Sequence, residues 1–222
     1  MKNILICGDS FAITDSRYPG LHWSEKIKAQ GYHISNLSVG GSTNSQIRMQ
    51  VHQGLSLSPD FVVILFTAPG RAEFDKNINV VIPDVLNEAT IRNYNRERYT
   101  TSCYQDHQKN KLWNEYLYRA ASQDFEMIKE YFVMLGTLQY LESKRIPFCW
   151  SEGGFSCVTE IGDILHKNII ADDLDEYRHC RIGLNLWNHA QQGEEIPWFH
   201  VPDEKILENF SSECLQHIKN SV

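Results

Sequence analysis

Six consecutive apolar residues, Phe61-Val62-Val63-Ile64-Leu65-Phe66, constrain the fold more than any other segment of the chain. A strand with one wet face alternates apolar and polar residues. An unbroken apolar run of this length, bounded by Asp60 and by Thr67-Ala68-Pro69-Gly70, reads instead as a strand covered on both faces. Residues 3–7, Asn-Ile-Leu-Ile-Cys, carry the same pattern up to the turn at Gly8, and residues 33–37 and 147–150 read as two further strands. Helical patterns separate them. One spans 21–29 and stops at Gly31, and another spans 45–55 after the glycine turn Val39-Gly40-Gly41-Ser42-Thr43-Asn44. In a third, long helix, Leu117, Ala121, Phe125, Ile128, Phe132, Leu135, Leu138 and Leu141 recur at three- and four-residue steps as one buried face. The last, over 203–219, buries Ile206, Leu207, Phe210, Cys214 and Ile218. Strands alternating with helices predict an α/β fold, a central parallel sheet of four to five strands flanked by helices with right-handed crossovers.

In sheets of this kind ligands lie off the C-terminal ends of the strands. That rule gathers Gly8-Asp9-Ser10, Gly40-Gly41-Ser42, residues 67–71 and residues 151–154 along one edge. A length of 222 residues suits one domain over 1–222, with an insertion at about 91–111 and an irregular segment at about 151–195. The formal charge of −7 offers no broad cationic surface, so a nucleic-acid partner is not expected. No apolar run approaches the ~20 residues of a membrane span, and the N-terminal run is too short for a signal-peptide core, so a cytoplasmic location is expected. The six cysteines form no CxxC, which predicts reduced thiols, no zinc site and no cofactor. Arg92, Arg96, Arg98, Lys109 and Lys111 make the insertion locally basic, which suits either a solvated loop or an anionic substrate.

Ser10 sits on the turn after the first strand, where substrates bind and where backbone N–H groups can hold a developing oxyanion. The same Gly8-Asp9-Ser10 tripeptide also reads as a plain helix-capping turn. Taken in order, Ile4-Leu5-Ile6-Cys7-Gly8-Asp9-Ser10 and Asn36-Leu37-Ser38-Val39-Gly40-Gly41-Ser42-Thr43 resemble the first two signature blocks of the SGNH (GDSL-like) hydrolases. The resemblance covers roughly the first 70 residues. It implies a flavodoxin-like three-layer sandwich, Ser10 as nucleophile and the Gly41 N–H as an oxyanion donor. The third block departs from the family. Its Gly-x-Asn-Asp turn is replaced by Thr67-Ala68-Pro69-Gly70-Arg71, leaving Asn44, Thr67 or Arg71 as substitute donors, while Arg71 could equally pair with Glu73 or Asp75.

The family histidine before the last helix corresponds to His200, followed by Val201-Pro202-Asp203, with His217 as the rival. The family's aspartate three residues earlier is Pro197 here. Glu195 or Glu194 could orient the imidazole in its stead, and Asp203 reads better as a helix cap than as that acid. The expected function is therefore a serine esterase or acylhydrolase acting on a small-molecule or carbohydrate ester through an acyl-enzyme. The alternative is a noncatalytic binding module on the same fold. A nucleotide-binding protein of similar architecture ranks last, because no GxGxxG or GxxxxGK[ST] loop is present.

Overall fold

The computed structural model describes residues 1–67, 71–75, 87–92, 99–103, 123–152 and 173–221. Its centre is a four-stranded sheet of β1 (Asn3–Cys7), β2 (His33–Asn36), β3 (Phe61–Leu65) and β6 (Phe148–Ser151), in the order β2-β1-β3-β6. All three pairings are parallel, with Ile4 opposite Ile34 and Phe61, and Val62 opposite Phe148. Among the described residues, helices α1 (Trp23–Ala29), α2 (Asn44–Gly54), α3 (Gln123–Ser143) and α4 (Glu204–Ser221) cover the sheet. Strand order reverses between β1 and β3, the place where open α/β sheets hold their ligands.

The two-residue period of the strands divides the core into two apolar layers. Leu5, Cys7, Val62 and Ile64 face Ile47 and Val51 of α2 and Leu135 and Leu138 of α3. Ile4, Ile6, Phe61, Val63 and Leu65 face Trp23 and Ile27 of α1 and Leu207, Phe210 and Cys214 of α4. This is the expected three-layer sandwich, with both faces of the long apolar strand dry. The described cysteines 7, 149, 180 and 214 are free and buried, and burial pushes the Cys7 thiol well up. No helix among the described residues is long and apolar enough to cross a membrane.

Two expectations change. Phe132 does not join the buried face of α3, being 56% exposed, whereas Tyr131, Met134, Leu135, Leu138 and Leu141 are buried. At 3.6 residues per turn Phe132 points roughly 125° away from the centre of that set. Leu117 and Ala121 lie outside the described residues. The insertion was read without regular structure, yet β5 (Tyr99–Cys103) pairs antiparallel with β4 (Arg71–Asp75), Phe74 opposite Thr100. Tyr-Thr-Thr-Ser-Cys has β-prone residues but no apolar alternation to announce a strand. The rest of the insertion beyond Arg92, and 153–172 of the irregular segment, lie outside the described residues; residues 173–195 include short 3₁₀ turns at Arg178–Cys180 and Leu186–His189.

Candidate active site

Cys7 ends β1 and the chain turns at once. Gly8 allows the turn, because a Cβ there would sit 2.9 Å from Ala12 Cβ and 3.1 Å from Leu65 Cβ. Asp9 caps a single 3₁₀ turn, Ser10–Ala12, its carboxylate accepting the Phe11 N–H at 3.0 Å. The capping reading of this tripeptide therefore describes its geometry, and the cap lies next to Ser10. The second loop turns at Gly41, whose φ of +76° is costly for any residue with a Cβ. The N–H groups of Ser10 and Gly41 donate to no protein group among the described residues.

Gln50 ties the two loops together. From the buried face of α2, its Oε1 accepts the Gly8 N–H at 2.8 Å, and its Nε2 donates to the Gly8 carbonyl at 3.2 Å and the Ser42 hydroxyl at 3.0 Å. Sequence reasoning passed over it. The available signal was an amide at position 50 between the apolar Ile47, Val51 and Gly54, on a helix that also buries Asn44 and Gln46.

The third loop is bound to the first. Thr67 donates its hydroxyl to Asp9 Oδ2 at 2.8 Å, and its backbone N–H and carbonyl pair with the Asn44 amide at 2.8 and 3.0 Å. Thr67 and Asn44 therefore hold the strand ends in register, and the hydroxyl proton of Thr67 is committed to Asp9. Arg71 opens β4, and its side chain lies outside the described residues.

His200 comes from the loop before α4. Its Nε2 lies 3.2 Å from Ser10 Oγ, and its ring packs at 5.2 Å against Phe11. Its backbone is left-handed, with φ +63°, a strain of roughly 1–3 kcal/mol that persists only where surroundings enforce it. The His200 N–H donates to the Pro197 carbonyl at 2.8 Å, and its own carbonyl accepts from Gln191 at 2.7 Å. His217 is elsewhere, in a separate cleft with Phe148 and His179 at the N-terminal end of β6. Glu194, Glu195 and Asp203 are not brought to the imidazole among the described hydrogen bonds. The two glutamates are exposed, and Asp203 caps α4 by accepting the N–H groups of Lys205 and Ile206 at 2.9 and 3.3 Å.

Ser10 and His200 share a cleft of about 270 Å³ walled by Phe11, Trp187, Ala190, Gln191 and Gln192. Behind it lies His22, which the sequence reading also missed. It is fully buried and donates from Nε2 to the Phe11 carbonyl at 3.3 Å while its Nδ1 accepts the Ser24 N–H at 3.2 Å. Burial holds its pKa down at about 3, so it is a neutral strut. No group of three or more His, Cys, Asp or Glu among the described residues is arranged to hold a metal ion.

No protein-family model and no curated protein matches the sequence. Solved structures do match the fold. Esterase EstA from Pseudoalteromonas superposes with a TM-score of 0.52 at 12% identity, over 99% of this chain and 98% of that one. A protein assigned to the lipolytic G-D-S-L family from Desulfitobacterium hafniense gives 0.51 at 8% identity, over 98% and 99%. Axe2, an acetyl-xylooligosaccharide esterase from Geobacillus, gives 0.50 at 10% identity, over 98% and 94%. At such identities the likeness concerns architecture. With its β2-β1-β3-β6 sheet and full-length superposition, this chain has the fold of the SGNH (GDSL-like) hydrolases.

Proposed function

We propose that the chain is a serine esterase or acylhydrolase of the SGNH type, acting on an ester of a small molecule or carbohydrate. The observation that carries this reading is His200 Nε2 within 3.2 Å of Ser10 Oγ. In the proposed reaction Ser10 Oγ attacks the ester carbonyl carbon as its proton passes to His200 Nε2. The oxyanion is held by the N–H groups of Ser10 and Gly41. The C–O bond to the alcohol then breaks, and the imidazolium returns its proton to the departing oxygen. Water, deprotonated by His200, attacks the acyl-enzyme and releases the acid and free Ser10.

A carbohydrate or similarly polar alcohol suits the cleft rim, where Trp187 is 38% exposed beside the amides of Gln191 and Gln192. The activity of Axe2 on acylated sugar is consistent with that choice. The test is hydrolysis of a short-chain aryl ester. Ser10→Ala is expected to abolish turnover while leaving the near-UV circular dichroism unchanged. Folded wild-type protein without turnover on aryl or sugar esters would favour the binding module instead.

A further inference from the structure

His200 is held in a left-handed backbone conformation, φ +63°, with its ring over Ser10, and its loop is tied down from the other side of the site. The contacts converge on two residues just after the nucleophile turn. Asp15, fully buried, accepts the backbone N–H of Trp198 at 3.0 Å, two residues before His200. Arg17 forks onto the same carboxylate, Nε at 3.1 Å from both oxygens and Nη2 at 2.7 Å. The remaining guanidinium hydrogens reach the loop itself: Nη1 donates to the Glu194 carbonyl and Nη2 to the Ile196 carbonyl, each at 3.2 Å. Tyr18 donates its hydroxyl to the intervening Glu195 carbonyl. The guanidinium also lies between the rings of Tyr18 and Trp198, at 5.5 and 5.1 Å.

We infer that Asp15 and Arg17 form a clamp that positions His200 over Ser10 by holding the backbone of residues 194–198. These are positioning residues, since neither touches the reacting atoms. An Arg–carboxylate fork is suited to this task because it fixes direction as well as distance, and lysine cannot reproduce it. The geometry also explains why the loop tolerates exposed glutamates at 194 and 195: their carbonyls are used, not their carboxylates. The catalytic consequence rests on the esterase reading above; the positional claim does not.

The test uses the 222-residue chain, with Arg17→Ala, Arg17→Lys and Asp15→Asn compared by kcat and KM on p-nitrophenyl acetate. Arg17 is partly exposed, so its variants are expected to fold even where Asp15→Asn does not. In Arg17→Ala kcat falls roughly 100-fold, the penalty typical of an ångström-scale misplacement, with KM changed less than about threefold. Added guanidinium ion restores part of the loss, and Arg17→Lys restores little. An NMR readout is independent of turnover. In the wild-type background Ser10→Ala shifts the His200 imidazole resonances, and in the Arg17→Ala background the same substitution leaves them unmoved. Unchanged kcat together with a persisting shift would overturn the clamp. Loss of the shift in a protein that hydrolyses no ester would uphold the clamp and count against the esterase reading alone.

Discussion

Gly8 carries two constraints, a close approach to β3 and the entry into the Ser10 turn. Gly8→Ala is expected to cost about 1–3 kcal/mol by overpacking against Ala12 and Leu65, read as a lower urea midpoint, with ester hydrolysis reduced as well. At this scale the sequence was informative where a side chain acts from a loop at a strand end. The loop placement of Ser10, Gly41 and His200 was legible, because turn position and order along the chain limit where such residues can lie. Asp15, Arg17 and Gln50 were not. Their partners are backbone groups, more than 170 residues away in the case of Arg17 and the 194–196 carbonyls, and no spacing rule encodes such a contact. Thr67 and Asn44 were found as polar residues at the right edge, but their hydrogen bonds serve one another and Asp9.

Among the elements, α2 does more than cover the sheet. It presents Gln50 to two loops, so Gln50→Leu keeps the volume while stranding the Gly8 N–H. That substitution is expected to destabilise the protein by about 1–3 kcal/mol and to lower kcat through both loops, measured by urea unfolding and aryl-ester kinetics. The strands were legible because a doubly buried strand is almost purely apolar, and β1 and β3 are so throughout most of their length. The helix face of α3 was read with the wrong centre. Phe132 continues the three- and four-residue steps but falls on the solvent side, a distinction of one residue that periodicity alone does not resolve. The β4–β5 ribbon was missed because Tyr99–Cys103 shows no apolar alternation, and the alternation of Arg71–Asp75, Ala72 and Phe74 between charged residues, is only five residues long.

For the molecule as a whole, acid stability is set by buried groups behind the active-site turn. His22 has a folded pKa of about 3, below its ordinary value, so the unfolded chain takes up the proton first. Its contribution is complete above pH ~6.5 and declines by up to about 1.4 kcal/mol per pH unit toward pH 3. Asp15 is held down at about 2 by the Arg17 fork, so its contribution is present above pH ~3.9 and lost only as pH falls toward 2. Unfolding free energies between pH 6.5 and 4 are therefore expected to slope with pH in the wild type and to flatten in His22→Gln. The account rests on one geometry, an imidazole over a half-buried serine. Its most direct test is reaction with a fluorophosphonate probe followed by mass-spectrometric mapping of the adduct. The account predicts a single adduct on Ser10, absent in Ser10→Ala and strongly slowed in His200→Gln. A folded wild-type protein that takes no label, or takes it at another serine, would contradict it.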